Sequence, residues 1–199
     1  MEVIQDEILF IIVGNDDWII SENMKFIDNM TIPKHMKVEY RVVSNLDNIP
    51  QAVQNAMRQS MAKYKIYLDQ NAFLIDKEFL AKAITIFENN PDIGLLGARG
   101  YYKTEENGKM ELRGNYIFHY NDTRNICLSN VCEGDVNTIV DVMTLDKHFM
   151  MTSVDSDWNG NNSNFHIIKS VEMRHMGYRS IVLVDKYPFV LFDNGILNT

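Results

Sequence analysis

The segment Lys63–Phe79, KYKIYLDQNAFLIDKEF, decides the fold. Its apolar run ends at Ile66-Tyr67-Leu68, passes through Asp69-Gln70-Asn71, and turns apolar again at Ala72-Phe73-Leu74-Ile75. A short continuous apolar run suits a strand covered on both faces. Side chains alternate along a strand, so Asp69 and Asn71 point the same way, at the carboxyl edge where sheets of this class bind ligands. Oxygen donors so placed can hold a hard divalent cation, which in turn bridges a diphosphate. They suit equally a polar strand end that makes turn hydrogen bonds.

The flanking sequence supplies the architecture. ILFIIVG (Ile8 to Gly14) is a second short apolar run, and in the sixteen-residue stretch after it Ile20, Met24, Ile27 and Met30 recur at helical spacing behind Asp16 and Asp17. VEYRVV alternates as a strand does, and Asn48 and Pro50 open a second helix with Ala52, Val53, Ala56, Met57, Ser60 and Met61 on one stripe. Asn55 falls off that stripe. Asp76 is the expected cap of a third helix, which ends at NNPD before the strand IGLLGA. Strands alternating with helices predict an α/β fold, a mostly parallel central sheet with helices on both faces. From Arg99 to Thr138 the chain is polar and turn-rich, with a hairpin expected around Asn107-Gly108; it reads as a small mixed excursion at the rim. TIVDVMTLDKHFMM reads as one strand and its continuation, DSDWNGNNSN as a loop, FHIIKSVEMRHMGY as a helix closed by Gly177, and RSIVLV as a last buried strand.

Composition narrows the function. With 199 residues, 46% apolar and 23% charged, the chain has the make-up of one globular domain spanning 1–199. A formal net charge of −8 argues against a general affinity for nucleic acid. Its two cysteines, Cys127 and Cys132, read as ordinary thiols and suggest a reducing compartment. No transmembrane segment is expected, since no apolar run approaches the ~20 residues that span a bilayer. The N-terminus carries acids where a secretory signal carries positive charge, so the expected location is cytoplasmic.

The runs ILFIIVGNDD, IPQAVQNAMRQSMAKYKIYLDQNAFLIDKEFL and IFENNPDIGLLGARG resemble the glycosyltransferase family 2-like domain of the streptomycin-biosynthesis type, a compact GT-A member. The resemblance covers nearly the whole chain and is strongest from Pro50 to Gly100. It implies a hexosyltransferase-type enzyme that moves a sugar from a nucleoside-diphosphate sugar to an unknown carbohydrate or other hydroxyl acceptor, with inversion. It further implies a nucleotide-sugar-binding half at 1–100 and an acceptor and catalytic half at 101–199. Where the family carries an acidic motif that holds Mn2+ or Mg2+ against the diphosphate, this chain has Asp69-Gln70-Asn71, so the implied metal ligands are Asp69 and Asn71. Loss of one acid predicts a weaker metal site, or none. Donor contacts are implied for Asn15, Asp16, Asp17, Asp47, Asn55 and Asp69.

In the same family an Asp eleven residues before the late Gly-Tyr is the base, and counting back from Gly177-Tyr178 lands on His166. An imidazole of ordinary pKa ~6.5 can do that work. Asp141, in VDVM, corresponds to a family Asp close to sugar and acceptor, which makes it the second implied catalytic residue. Trp158 and Glu172 are implied on the acceptor side. The family's late His-Asp element appears as Phe192-Asp193-Asn194-Gly195, and phenylalanine ligates no cation.

Two other readings stay open. A catalytically impaired descendant would keep the fold as a nucleotide-sugar-binding or protein-interaction module. A sugar nucleotidylyltransferase would need a Gly-rich basic loop after the first strand, whereas VGNDDW is acidic with one glycine. A homo-oligomer is compatible with either.

Overall fold

The computed structural model describes residues 4–104, 108–119, 126–130, 138–185 and 187–193. Asn107, Cys132 and the Asn194-Gly195 pair lie outside them. The first half of the chain holds β1 (Ile4–Val13), α1 (Asp17–Asp28), β2 (Lys37–Val43), α2 (Ile49–Arg58), β3 (Ala62–Asp69), β4 (Ala72–Leu74), α3 (Phe79–Asn89) and β5 (Ile93–Gly97). The second holds β6 (Arg99–Lys103), β7 (Met110–His119), β8 (Ile126–Asn130), β9 (Thr138–Val142), β10 (Thr144–Leu145), β11 (Phe149–Thr152), α4 (Phe165–His175), β12 (Arg179–Val184) and β13 (Val190–Asp193).

Seven strands form the main sheet in the order β2-β1-β3-β11-β5-β12-β9. β1, β2, β3, β5 and β12 run parallel, while β11 and β9 run against them. The expected mostly parallel α/β sheet is therefore present, and strands from both halves of the chain complete it. Along β1, Ile8, Phe10 and Ile12 enter the core shared with α1 and α3, while Leu9, Ile11 and Val13 enter the core shared with α2 and α4. Burial on both faces explains the unbroken apolar run. A second, smaller sheet, β10-β6-β7-β13-β4 with β8 beside β7, covers one end of the first. No helix among the described residues is long and apolar enough to cross a membrane.

Two local expectations are corrected. Asp76 does not cap α3; it stands two residues before the cap position, where its Oδ1 accepts from Glu78 N (3.0 Å), and Glu78 takes the cap position without a side-chain bond. TIVDVMTLDKHFMM is not one strand. Met143 N donates to Tyr101 O (2.6 Å) and Asp146 N to Arg99 O (2.9 Å), so β10 leaves for the small sheet before the chain returns as β11.

Aromatic packing holds β11 in place. Phe149 meets Phe79 edge-on at 5.4 Å and Phe189 at 5.5 Å, and Phe79 and Phe189 stack at 4.0 Å. Such pairs contribute about 0.5–1.5 kcal/mol each beyond the area they bury. Met150 and Met151 then fill opposite faces.

Gly14 ends β1 against the β3–β4 turn, where a Cβ would sit 2.0 Å from Gln70 Oε1. Gly14→Ala is expected to cost about 1–3 kcal/mol through forced displacement of Gln70. Urea unfolding reads it, and an unchanged midpoint would show that the turn yields freely.

Candidate active site at the sheet rim

The C-terminal ends of β1 and β3 are tied by the residue between the two candidate ligands. Gln70 N donates to Val13 O (2.9 Å), its Oε1 accepts from Asp16 N (3.0 Å), and its backbone oxygen accepts from the buried Asn23 Nδ2 (3.1 Å). Asn23 Nδ2 also reaches Ala72 O at 2.8 Å. Gln70 thus points back over Gly14, and alternation leaves Asp69 and Asn71 on the other side, as a strand end requires. Asn71, expected as a second oxygen ligand, instead turns its nitrogens to Asp69. Its backbone N (2.9 Å) and its Nδ2 (3.3 Å) both donate to Asp69 Oδ1, so Asn71 serves as the donor that fixes the carboxylate. A short polar side chain folding onto the nearest backbone amide is what closes this turn.

The other half of the rim comes from the antiparallel strand. Because β11 runs backwards, its beginning meets the ends of β3 and β5, and Asp69 N donates to His148 O (3.0 Å). The imidazole of His148 lies between two carboxylates, with Nδ1 4.0 Å from Asp69 Oδ2 and Nε2 3.6 Å from Asp146 Oδ1. Asp146 Oδ1 also accepts from His148 N (2.8 Å), and the Phe192 ring packs on the imidazole at 3.9 Å. Ser170 then links this turn to α4: its Oγ accepts from Leu145 N (3.0 Å) and donates to His166 O (2.8 Å). His166, in the first turn of α4, is thereby held beside Asp146.

Burial dominates the electrostatics. It lowers His148 to about 4, against the opposing pull of Asp69, and lowers His166, against that of Asp146. Both imidazoles are neutral at neutral pH. Burial raises the Asp146 carboxyl, which the hydrogen bond from the His148 backbone and then the charge of Arg99 counter in part. Tyr67, almost wholly buried, is raised by burial and then by the charges of Asp69 and Asp146. Asp69, Asp146, His148 and His166 therefore form one interacting group at the rim.

The remaining expected residues divide. Asn15 and Asp17 are exposed at the same rim, while Asp16 is the α1 cap, accepting from Trp18 N (3.0 Å) and Ile19 N (3.1 Å). Asp47 follows the Asn45 turn and lines an open cleft of about 460 Å³ with Asn48, Gly160, Asn161, Asn162, Ser163 and Asn164. Asn55 lies on the exposed face of α2, where Oδ1 accepts from Gln51 Nε2 (3.0 Å); the inward amide of that helix is Gln54, which accepts from Trp158 N (2.7 Å). Trp158 is only 5% exposed, stacked against Tyr67 at 5.5 Å and lying under Lys169, so it supports the rim from beneath and offers an acceptor little surface. Glu172 accepts from Asn159 Nδ2 (2.8 Å), stapling the preceding loop to α4 two turns from His166. Asp141 stands on β9 in an exposed pair with Arg179 (2.9 Å), not at the rim.

Asp146 and His148 are the site residues that sequence reasoning missed. Their signal was present: an acid and an imidazole two apart at the entry of a buried strand mirror Asp69 and Asn71 at the exit of another.

Asp69 Oδ2 faces the rim with the side chain about a quarter exposed, a hard anionic oxygen suited to Mn2+ or Mg2+. Among the described residues no three His, Cys, Asp or Glu side chains gather around one point. The residues present fit a cation that takes most of its shell from phosphate and water.

A family model described as "Glycosyltransferase like family" matches residues 9–199. Similar solved structures include a mannosyltransferase from Pyrobaculum calidifontis in complex with GDP-Man and Mn2+ (TM-score 0.57, 10% identity, 92% of this chain and 58% of that one). TarS of S. aureus in complex with UDP-GlcNAc is another (TM-score 0.59, 10% identity, 96% and 59%). The chain thus spans just under three-fifths of the length of these structures, and at this identity the likeness is one of GT-A-type fold. No curated protein matches the sequence.

The neutral His148 makes stability depend on pH. Its folded pKa of about 4 lies below the ordinary 6.5, so between those values the unfolded chain takes up a proton that the folded one refuses. Stability is expected to fall by roughly 3 kcal/mol on acidification from pH 6.5 to 4, offset in part by Asp146, whose raised carboxyl works in the opposite sense. Denaturant titrations in chelator should show His148→Gln with a flatter profile over that window. Identical profiles would contradict the burial of a neutral imidazole.

Proposed function

Since the chain belongs to the glycosyltransferase-like family, we propose that it transfers a sugar from a nucleoside-diphosphate sugar to an acceptor hydroxyl, inverting the anomeric carbon. The observation that carries this reading is the gathering of Asp69, Asp146, His148 and His166 at the C-terminal rim, where open α/β sheets bind ligands. The GDP-Man and UDP-GlcNAc held by structures of like fold support a donor of this class.

The acceptor oxygen attacks the anomeric carbon as the bond to the diphosphate breaks, and His166 takes the proton from the attacking hydroxyl. A single attack from the face opposite the leaving group inverts the centre. Burial keeps His166 neutral and thus able to accept that proton, and the Asp146 carboxylate stabilises the imidazolium that results. Asp69 would hold Mn2+ or Mg2+, which when bound offsets the charge growing on the departing diphosphate. Asn15, Asp17 and the cleft beside Asp47 offer neutral amides and carboxylates suited to ribose hydroxyls and base edges. The streptomycin-biosynthesis subtype is the branch that the Asn55 and Asp69 motifs favour.

A second reading, a binding module without transfer, draws on one observation: Asn71 donates to Asp69 where a second acid would have added charge to the cation's cage. Release of UDP or GDP from donor sugars separates the two, because a module binds nucleotide and releases none.

His166→Ala is expected to lower nucleotide release by at least about 10²-fold while leaving UDP or GDP binding unchanged. In the wild-type protein the rate should fall on acidification with a midpoint below 6.5, the direction in which burial moves this imidazole. Unaltered turnover in the variant would remove His166 from the mechanism.

A further inference from the structure

The Phe192 ring packs at 3.9 Å on the imidazole of His148. The two residues approach from different strands, Phe192 from β13 in the small sheet and His148 from the turn into β11. We propose that His148 is the nitrogen ligand of a divalent-cation site at this rim, with Asp69 as its oxygen ligand, Asp146 as the residue that orients the imidazole, and Phe192 as the wall that fixes the ring plane. This rests on the donor reading above only for the identity of the remaining ligands.

The geometry carries the assignment. His148 Nδ1 and Asp69 Oδ2 are 4.0 Å apart, too far for a hydrogen bond and close enough for both to reach one cation across a wide angle, since two metal–ligand bonds of about 2.0–2.2 Å span up to about 4.4 Å when opposed. The opposite nitrogen, Nε2, faces Asp146 Oδ1 at 3.6 Å. A carboxylate behind the far nitrogen is the usual neighbour of a metal-bound histidine; here it stands just beyond hydrogen-bond reach and acts on the imidazole through its charge. Asp146 is itself held by the His148 backbone N (2.8 Å), and His148 O by Asp69 N (3.0 Å), so both ligands and the orienting acid sit on one short hydrogen-bonded unit. Asn71 holds the second oxygen of Asp69 and leaves Oδ2 for the cation.

The ligand chemistry also sets a preference. An imidazole nitrogen suits Mn2+ better than Mg2+, which favours oxygen throughout. With two protein donors, the other positions fall to water or to the oxygens of a diphosphate.

The test uses the full chain, titrated with Mn2+ alone and then with Mn2+ plus UDP, and read by electron spin-echo modulation of the bound Mn2+. The wild type should show modulation from an imidazole nitrogen. His148→Gln should abolish it and weaken Mn2+ binding at least about 10-fold, and Asp146→Asn should weaken Mn2+ binding by about 10-fold with the nitrogen signal retained. Mg2+ should compete poorly. Bound Mn2+ without nitrogen modulation, or a His148→Gln variant with wild-type affinity, would overturn the assignment, and the wild-type spectrum decides even if a variant fails to fold. UDP binding measured in chelator separates this inference from the donor reading: UDP bound without Mn2+ ligation by nitrogen sinks the metal site alone, whereas nitrogen-ligated Mn2+ with no affinity for UDP or GDP sinks the donor reading alone.

Discussion

The rim depends on one backbone hydrogen bond, from Asp69 N to His148 O at 3.0 Å. It exists because β11 enters the sheet antiparallel between β3 and β5, so that the beginning of one strand meets the ends of two others. Parallel neighbours would have carried residues 146–148 to the far side of the sheet. The reversal sets an acid and an imidazole beside Asp69, and the aromatic contacts of Phe149 with Phe79 and Phe189 resist its slipping out.

Around that bond the polar side chains work in pairs of opposite direction. Gln70 turns inward to tie the first two strand ends together, which Gly14 permits by having no Cβ. Asp69 and Asn71 then turn outward together. On the other side Ser170 joins Leu145 to the backbone of His166, so the first turn of α4 follows the β10–β11 turn as a unit. Beneath both, Lys169 donates to the backbone oxygens of Ser156 (2.8 Å) and Asp157 (3.0 Å), and Lys65 pairs with Asp155. These buried ammonium groups hold the loop that carries Trp158 under Tyr67. The charged network is therefore a floor for the rim as much as part of it.

The neutral state of the two imidazoles follows from the same packing. A histidine next to a carboxylate in water would be driven toward its charged form, but here burial outweighs that attraction at both His148 and His166. Neutral imidazoles can accept a proton or a metal, whereas imidazolium can do neither.

The sequence alone determined the layered α/β architecture, because unbroken apolar runs such as Ile8–Val13 are stable only where helices cover both sheet faces. It also determined that Asp69 and Asn71 share a side, since alternation is a property of the strand itself. The register that singled out His166 came from the family resemblance and located a residue that does stand near the rim. Only the tertiary structure decided the partners. Asp146 and His148 lie in a stretch that reads as one strand, and their role depends on β10 leaving for another sheet and β11 returning reversed, pairings between residues far apart in the chain. For the same reason Asp141 and Trp158, equally plausible by type, end in a surface ion pair and in a buried stack, because what a side chain can touch is set by its non-local neighbours.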